Sequence, residues 1–97
     1  MPFGYPQNPE PKINIDYNRC QPVSVIAVYN QEGKIKPLYV SLSDMYGNVC
    51  KAEITGVKYS KDITGGISFR CLYKAGSRFK ECTLKFYYDN HVWVLEN

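Results

Sequence analysis

The sequence has little of what metal-binding and membrane-spanning proteins need. It contains a single histidine and no close pair of cysteines, and close pairs of ligands are what make zinc sites recognisable. No stretch approaches the roughly 18 consecutive apolar residues of a membrane helix. No glycine-rich phosphate-binding loop precedes a helical segment. We therefore expect this chain to have no metal, no cofactor and no membrane as a partner.

Candidate catalytic residues are equally scarce. A nucleophile, a base and an orienting group could be assembled from Cys82, His91 and Asp89, but the last two flank a short turn. Strand alternation directs Cys82 into the core, where a thiol without an electropositive neighbour is inert. A zinc site from Cys50, Cys71, Cys82 and His91 has suitable ligand types but lacks the usual spacing. We predict that the protein is not an enzyme and has no catalytic or metal-binding residues.

The four cysteines, Cys20, Cys50, Cys71 and Cys82, would suit two disulfides in an oxidising compartment. The N-terminal residues lack the basic and apolar regions of a secretion signal, so we predict a cytoplasmic protein with reduced cysteines. Cys71 and Cys82 lie at nearly equal distances from a turn near Ser77 and should face each other across a hairpin. Whether they ever form a disulfide stays open at this stage.

What the sequence does contain is a series of about six strand-like segments between Val23 and Leu95. Short polar or glycine-bearing turns join them and no helical stretch lies between them, which indicates an antiparallel meander. The 97 residues suffice for one domain with one core. Nine tyrosines against four phenylalanines suit such strands, because a tyrosine ring can pack while its hydroxyl reaches water.

Two segments, 23–29 and 92–95, are apolar on both faces. They are therefore predicted to be covered on both sides, at the centre of a sheet or inside a barrel. Segment 35–42 instead alternates, and Pro37 near its start predicts an edge or a bulge because proline cannot donate to a ladder. Its inward residues should be Leu38, Val40 and Leu42, and its outward residues Tyr39 and Ser41.

A change of parity is predicted in the next strand. Cys50, Ala52 and Ile54 share one face. Val57 and Tyr59 continue the apolar pattern at the opposite parity, which predicts a β-bulge at Thr55-Gly56. Residues 61–66 are expected to form the longest loop.

The last strands complete the predicted fold. The inward residues expected in the hairpin 67–88 are Ile67, Phe69, Cys71, Tyr73, Cys82, Leu84, Phe86 and Tyr88. We predict an all-β fold, an antiparallel meander of five to six strands forming a small partly closed SH3-like or OB-like barrel. A twisted sheet completed by a partner chain is the alternative. Residues 1–12 hold four prolines and should form a flexible tail, and residues 13–97 a single domain with a short edge strand at 13–17.

The net charge of +3 is unevenly distributed. Residues 58–85 hold seven basic and two acidic side chains, whereas residues 1–57 carry equal numbers of each. This clustering predicts either a solvated strand face or an anion-binding face. The residues assigned to a candidate binding face are Arg70, Lys74, Lys80, Lys85, Tyr87 and Tyr39.

The segment 35–95 is similar to small uncharacterised proteins of Gram-positive bacteria and their mobile elements. The residues that carry this resemblance are Ile35-Lys36-Pro37-Leu38-Tyr39 and the closing Val92-Trp93-Val94-Leu95. The resemblance implies an accessory protein of the cytoplasm and supplies no activity and no functional residue.

We predict a non-enzymatic binding or regulatory module whose partner is another protein, because the net charge is modest and nucleic-acid-binding domains are usually more basic. The alternative is a small nucleic-acid-binding β-barrel that uses the basic hairpin 67–88, with cations along the phosphates and rings stacked on bases. A homo-oligomer is compatible with either function.

Overall fold

The computed structural model of the protein describes residues 18–44 and 46–96. The tail predicted for residues 1–12 and the edge strand predicted for 13–17 lie outside the described residues. The described chain forms the strands β1 (Cys20–Val23), β2 (Val25–Tyr29), β3 (Ile35–Ser43), β4 (Val49–Ile63), β5 (Gly66–Ala75), β6 (Arg78–Tyr87) and β7 (Val92–Glu96). Within this part of the chain, no helix has the length and apolarity that crossing a membrane requires.

The strands form one sheet in the order β1-β7-β6-β5-β4-β3-β2. From β2 to β7 each strand pairs antiparallel with the next, which confirms the predicted meander. β1 pairs with the edge of β7 that faces away from β6, although only Ser24 separates β1 from β2. One stretch of chain thus supplies both edges of the described sheet, which curls into a half-barrel. We find seven strands rather than five to six, because the chain before Ser24 forms an unpredicted strand, β1, which takes only Val23 from the predicted segment 23–29.

The longest strand, β4, changes partners along its length. It pairs with β3 up to Glu53, which lies opposite Tyr39, and with β5 from there on. The register with β5 shifts between Ile54 and Gly56, which confirms the bulge predicted at Thr55-Gly56. Because a bulge bends its strand, this position turns β4 away from the β2–β3 hairpin.

A second register shift in β4, between Val57 and Tyr59, overturns part of the predicted parity. Val57 packs against the core as expected. Lys58 is the extra residue, so Tyr59 turns outward, lies opposite Arg70 and is exposed. The strand then continues, and the loop predicted for residues 61–66 is reduced to a two-residue turn.

The irregularity that Pro37 predicted is a bulge in β3. The register between β2 and β3 shifts between Ile26 and Ala27, and Leu38 is the extra residue. Pro37 therefore takes the inward position opposite Ala27 and is fully buried. Leu38 does not pack against the core, contrary to the prediction, whereas Val40 is fully buried as predicted.

The inner side of the curled sheet carries the main core cluster. Its buried members are Val40, Ala52, Ile54, Phe69, Cys71, Cys82, Leu84, Phe86 and Trp93. The Trp93 ring lies 5.0 Å from the Phe86 ring and 5.8 Å from the Phe69 ring, measured between centroids. Cys71 and Cys82 are register partners within the cluster, as predicted.

A second, smaller cluster lies on the outer side of the sheet. Cys20, Tyr87 and Val94 are buried there, with Ile63 and Val92 packed against them. This cluster covers the outer side of β7, while Trp93 covers its inner side. The prediction that residues 92–95 are buried on both sides is therefore confirmed.

The corresponding prediction for β2 is wrong. Val25 and Ala27 pack against the core cluster, but Ile26 and Val28 are 51% and 44% exposed on the outer side. Among the described residues β2 is an edge strand that pairs only with β3. It therefore has no neighbouring strand on its other edge whose side chains would cover that outer side.

Candidate binding site

The six residues predicted as one binding face are distributed over three surfaces. Arg70, Lys74, Lys85 and Tyr87 belong to the outer side of β5 and β6, Lys80 belongs to the inner side, and Tyr39 lies on β3. The sequence-based assignment treated these residues as one face because they are basic or aromatic. The register shows that they are not.

Lys80 is on the inner side because it shares the parity of Cys82 and Leu84. In the register of β5 and β6 it lies opposite Tyr73, whose ring packs against the core cluster. The strand extends past the end of the core at this point, so Lys80 is exposed even though it projects inward. Strand alternation from Cys82 predicts this inward position, so the outward position predicted for Lys80 is wrong.

Tyr87 has the outward parity that was predicted but is not available to a ligand. It is buried against Cys20 and Val94 in the outer cluster. The covering residues come from β7, which follows β6 in the predicted meander, and from β1, whose pairing with β7 was not predicted. An exposed stacking ring was therefore predicted where the structure has a core residue.

Arg70 takes part in a network of ion pairs. Its Nε donates to Glu81 Oε1 at 3.0 Å and its Nη1 donates to Thr83 Oγ1 at 2.8 Å. Lys58 Nζ donates to the other oxygen of Glu81 at 3.1 Å. These hydrogen bonds, from Lys58 first and then from Arg70, lower the pKa of the Glu81 carboxyl.

Lys85 is also paired. Its Nζ lies 2.7 Å from Glu96 Oε2, and both side chains are largely covered. The hydrogen bond to Glu96 raises the pKa of Lys85, and the same bond lowers the pKa of Glu96. Lys74 and Lys80 form no ion pair with any described residue, but they project from opposite sides of the hairpin. The outer side thus does not present the continuous row of free cations that a polyanion would follow.

Tyr39 belongs to a separate, shallow surface on the outer side of β2 to β4. It lies opposite Ile26 on one neighbouring strand and Glu53 on the other. Lys51 Nζ lies 4.7 Å above its ring, in cation–π contact. The bulge in β4 turns this surface away from the strands that carry Arg70 and Lys85.

A cleft of about 650 Å³ lies where the β2–β3 hairpin diverges from β4, β5 and β6, and we refer to it as the inner cleft. Its lining residues are Tyr29, Gly33, Lys34, Ile35, Ser60, Lys61, Asp62, Ile67, Phe69, Phe86 and Tyr88. The divergence follows from the end of the β3–β4 pairing at Glu53. This cleft was not predicted from the sequence, because it depends on how far two strands separate after a bulge.

The inner cleft has an apolar floor and an aromatic rim. Ile67, Phe69 and Phe86 form part of the floor and belong to or pack on the core cluster. Tyr29 and Tyr88 stand at the rim, and both are exposed. The Tyr88 ring meets the Phe86 ring edge to face, with centroids 5.8 Å apart, so the inward parity predicted for Tyr88 is correct even though its ring reaches solvent.

The turn between β2 and β3 fixes one wall of the cleft. Asn30 Oδ1 accepts hydrogen bonds from the backbone N–H groups of Glu32 and Lys34, each at 2.9 Å. Gly33 adopts a φ of 81°, which glycine reaches without steric cost. This local network holds Tyr29 and Lys34, the residues on either side of the turn, at the cleft.

The residues considered for catalysis or metal binding lie apart. Cys82 is in the core cluster, whereas Asp89 and His91 are exposed in the turn before β7. Cys50 is exposed near the start of β4. No three potential metal ligands come together within residues 18–44 and 46–96. Contact with Cys82 and burial raise the pKa of the Cys71 thiol, which keeps it protonated.

Comparison of the chain with models of known protein families, with characterised proteins and with solved structures gave no match. The resemblance to small proteins of Gram-positive bacteria therefore stays a prediction. Function has to be inferred from the geometry of the chain itself.

Proposed function

We propose that the protein is a non-enzymatic binding module of the cytoplasm whose inner cleft holds an extended segment of a protein partner. The observation that carries this proposal is the apolar floor of the cleft between two exposed tyrosines, Tyr29 and Tyr88. Rings with a polar tip contribute a large contact area and are favoured at binding hot spots. A curled half-barrel, which we assign to the SH3-like or OB-like class, suits this role.

An extended ligand fits this site because a strand edge borders it. Among the described residues β2 has one unpartnered edge, and its last residue, Tyr29, lines the cleft. A segment added along such an edge gains main-chain hydrogen bonds, and its alternate side chains point to opposite sides. One set would enter the cleft, and the other would lie beside the exposed Ile26 and Val28.

The charges at the cleft favour a particular kind of segment. Lys34 and Lys61 line it against a single carboxylate, Asp62. A large apolar side chain on the floor, flanked by an acidic residue, would match both the floor and the rim. The proposed ligand is therefore an extended peptide with an apolar anchor and at least one adjacent acidic residue.

The alternative function, nucleic-acid binding by the hairpin 67–88, has less support. Lys80 lies on the inner side, Tyr87 is buried, and Arg70 and Lys85 are paired with carboxylates. These positions leave no row of free cations along the hairpin.

A displayed library of random linear peptides would test the proposal. We expect selection on the wild-type protein to enrich peptides with a large apolar residue next to Asp or Glu. Tyr29→Ala combined with Tyr88→Ala should weaken the binding of a synthetic enriched peptide by more than about 10-fold, as loss of hot-spot rings does. Tyr46→Ala is the matched control, because Tyr46 is 82% exposed in a different turn. No enrichment, or equal binding by the double variant, would overturn the proposal.

A further inference from the structure

The outer side of the sheet carries a second concave feature, which the proposed function does not use. It has a volume of about 280 Å³ and is formed by β4, β5, β6 and the end of β7. We refer to it as the outer groove. Its lining residues are Tyr59, Lys61, Ile63, Ser68, Arg70, Thr83, Lys85 and Glu96.

The strand register explains why a depression forms here. Lys61 on β4 lies opposite Ser68 on β5, and Ser68 lies opposite Lys85 on β6. Directly opposed residues on one side of a sheet have Cβ atoms roughly 5 Å apart. A short serine between two long lysines therefore leaves a hollow with an ammonium group on each side.

The next row of the sheet adds further hydrogen-bond donors. Tyr59, Arg70 and Thr83 lie opposite one another on the same three strands. The guanidinium of Arg70 uses Nε and Nη1 for Glu81 and Thr83, and Nη2 is not engaged by a described residue. The groove is thus lined by three cationic side chains and three hydroxyl groups.

The carboxylate in the lining, Glu96, is outnumbered by cations. Lys85 donates to it at 2.7 Å, and Arg19 and Lys61 are near enough to contribute to the lowering of its pKa. Three of the seven basic residues of segment 58–85 line this groove. Ser68 is 5% exposed and lines the groove, so its short side chain forms part of the floor.

We propose that the outer groove binds one compact phosphate group, as free phosphate or as a small phosphomonoester, seated over Ser68 between Lys61 and Lys85. A dianion of this kind accepts several charge-assisted hydrogen bonds at once. The proposed peptide cleft opens on the other side of the sheet, and the two sites share one lining residue, Lys61.

A single phosphate group fits better than a nucleic-acid strand. The carboxylates of Glu81 and Glu96 flank the cations and hold Arg70 and Lys85 by hydrogen bonds. A long polyanion passing over the groove would approach both carboxylates, whereas one phosphate over Ser68 meets the cations between them. The groove therefore selects for compactness as well as for charge.

The test uses the full chain, with inorganic phosphate and phenyl phosphate as probes and backbone amide NMR as the readout. We expect saturable shifts of the Ser68 and Lys85 amides. Lys61→Gln should weaken binding by about 10-fold, the usual cost of losing one hydrogen bond to a charged group. Affinity should also fall as the pH drops below about 6, where a phosphomonoester loses its second charge.

Lys74→Gln is the matched control. Like Lys61→Gln it removes one positive charge from the outer side of the sheet, but Lys74 lies on β5 outside the groove. It should change the affinity by less than about 2-fold, as expected for a distant exposed charge. Stronger binding of phenyl phosphate than of inorganic phosphate would identify a phosphomonoester as the ligand, and the reverse would identify free phosphate.

Three results would overturn the proposal. One is the absence of saturable shifts with either probe. Another is equal weakening by Lys61→Gln and Lys74→Gln, which would indicate general charge attraction. The third is tighter binding of a single-stranded oligothymidylate than of phenyl phosphate at the same residues, which would assign the groove to nucleic acid.

Discussion

Strands β7 and β2 differ in burial far more than in composition. Each has five residues, mostly apolar. In β7, Val94 on the outer side is fully buried and Trp93 on the inner side is nearly so. In β2, the outer residues Ile26 and Val28 remain about half exposed.

Neighbouring strands account for the difference. β7 lies between β6 and β1, and Tyr87 and Cys20 from those strands cover its outer side. β2 has β3 as its one paired neighbour among the described residues, and the side chains beside it there include Lys36 and Tyr39. Apolar residues on both faces of a strand thus indicate that both faces can be buried. Whether both are buried depends on which strands lie beside it.

The largest expected effect of the difference between covered and uncovered strand surfaces is in the reactivity of the cysteine thiols. Cys50 is exposed on β4 beside β3, whereas Cys20, Cys71 and Cys82 are buried. Buried thiols react only after local or global opening, so one thiol of four should be alkylated at least about 100-fold faster than the others. Mass spectrometry of timed iodoacetamide reactions would measure this. Cys50→Ser should abolish the fast phase, and two or more fast thiols would contradict the burial of the core cysteines.

Trp93→Ala should cause the largest loss of stability in the covered region. Its ring packs against Phe86 and Phe69, and truncating a buried aromatic residue costs about 3–5 kcal/mol of the free energy of unfolding. Denaturant titration followed by circular dichroism would check this. A cost below about 1 kcal/mol would mean that Trp93 is not part of the core.

Val94→Ala and Val28→Ala compare the two regions with identical chemistry. Removing two buried methyl groups at Val94 should cost about 2 kcal/mol, from lost burial and the cavity left behind. The same change at Val28 should cost less than about 0.5 kcal/mol, as is usual at the surface. Paired denaturation curves would measure both. Equal costs would show that the outer side of β2 is covered in solution.

The smallest expected effect concerns two ion pairs. Lys85–Glu96 is 2.7 Å long and largely covered, whereas Lys34–Glu32 on the β2–β3 hairpin is 3.9 Å long and about three-quarters exposed. Glu96→Gln should cost up to about 1 kcal/mol near pH 7, and Glu32→Gln close to nothing.

The pH dependence of Glu96→Gln follows from the lowered pKa of Glu96. The ion pair stabilises the fold above the ordinary carboxyl pKa of 4.5 and loses this effect as the pH falls through the lowered pKa of the folded state. The difference in melting temperature between wild type and Glu96→Gln should therefore shrink between pH 7 and about pH 3. A constant difference across this range would show that the effect is not electrostatic.

Local patterns predicted local features of the fold correctly. The bulge at Thr55-Gly56, the irregularity at Pro37 and the pairing of Cys71 with Cys82 all follow from turn residues and alternation. The extra residue at Lys58 was not predicted, because no glycine or proline marks it. The division of segment 23–29 between two partner strands was also not predicted, since a change of partner does not alter the pattern of apolar residues along the segment.

The candidate site was predicted less well for a physical reason. Parity could have placed Lys80 on the inner side, but the burial of Tyr87 depends on Cys20, which is distant in sequence, as well as on Val94. The inner cleft is formed by strands that separate, and the outer groove by three residues in register on three strands. Neither kind of feature leaves a pattern within a single segment.

The position of Ser24 has a consequence for how the protein folds. The ten residues of β1, Ser24 and β2 pair on one side with β7 and on the other with β3. The β2–β3 hairpin can form as soon as β3 has been synthesised, but β1 must wait for β7, the last strand of the described chain. The sheet therefore combines a contact of low sequence separation with one of very high separation, and the second should limit the folding rate. During synthesis β1 is left without its partner until β7 has emerged from the ribosome.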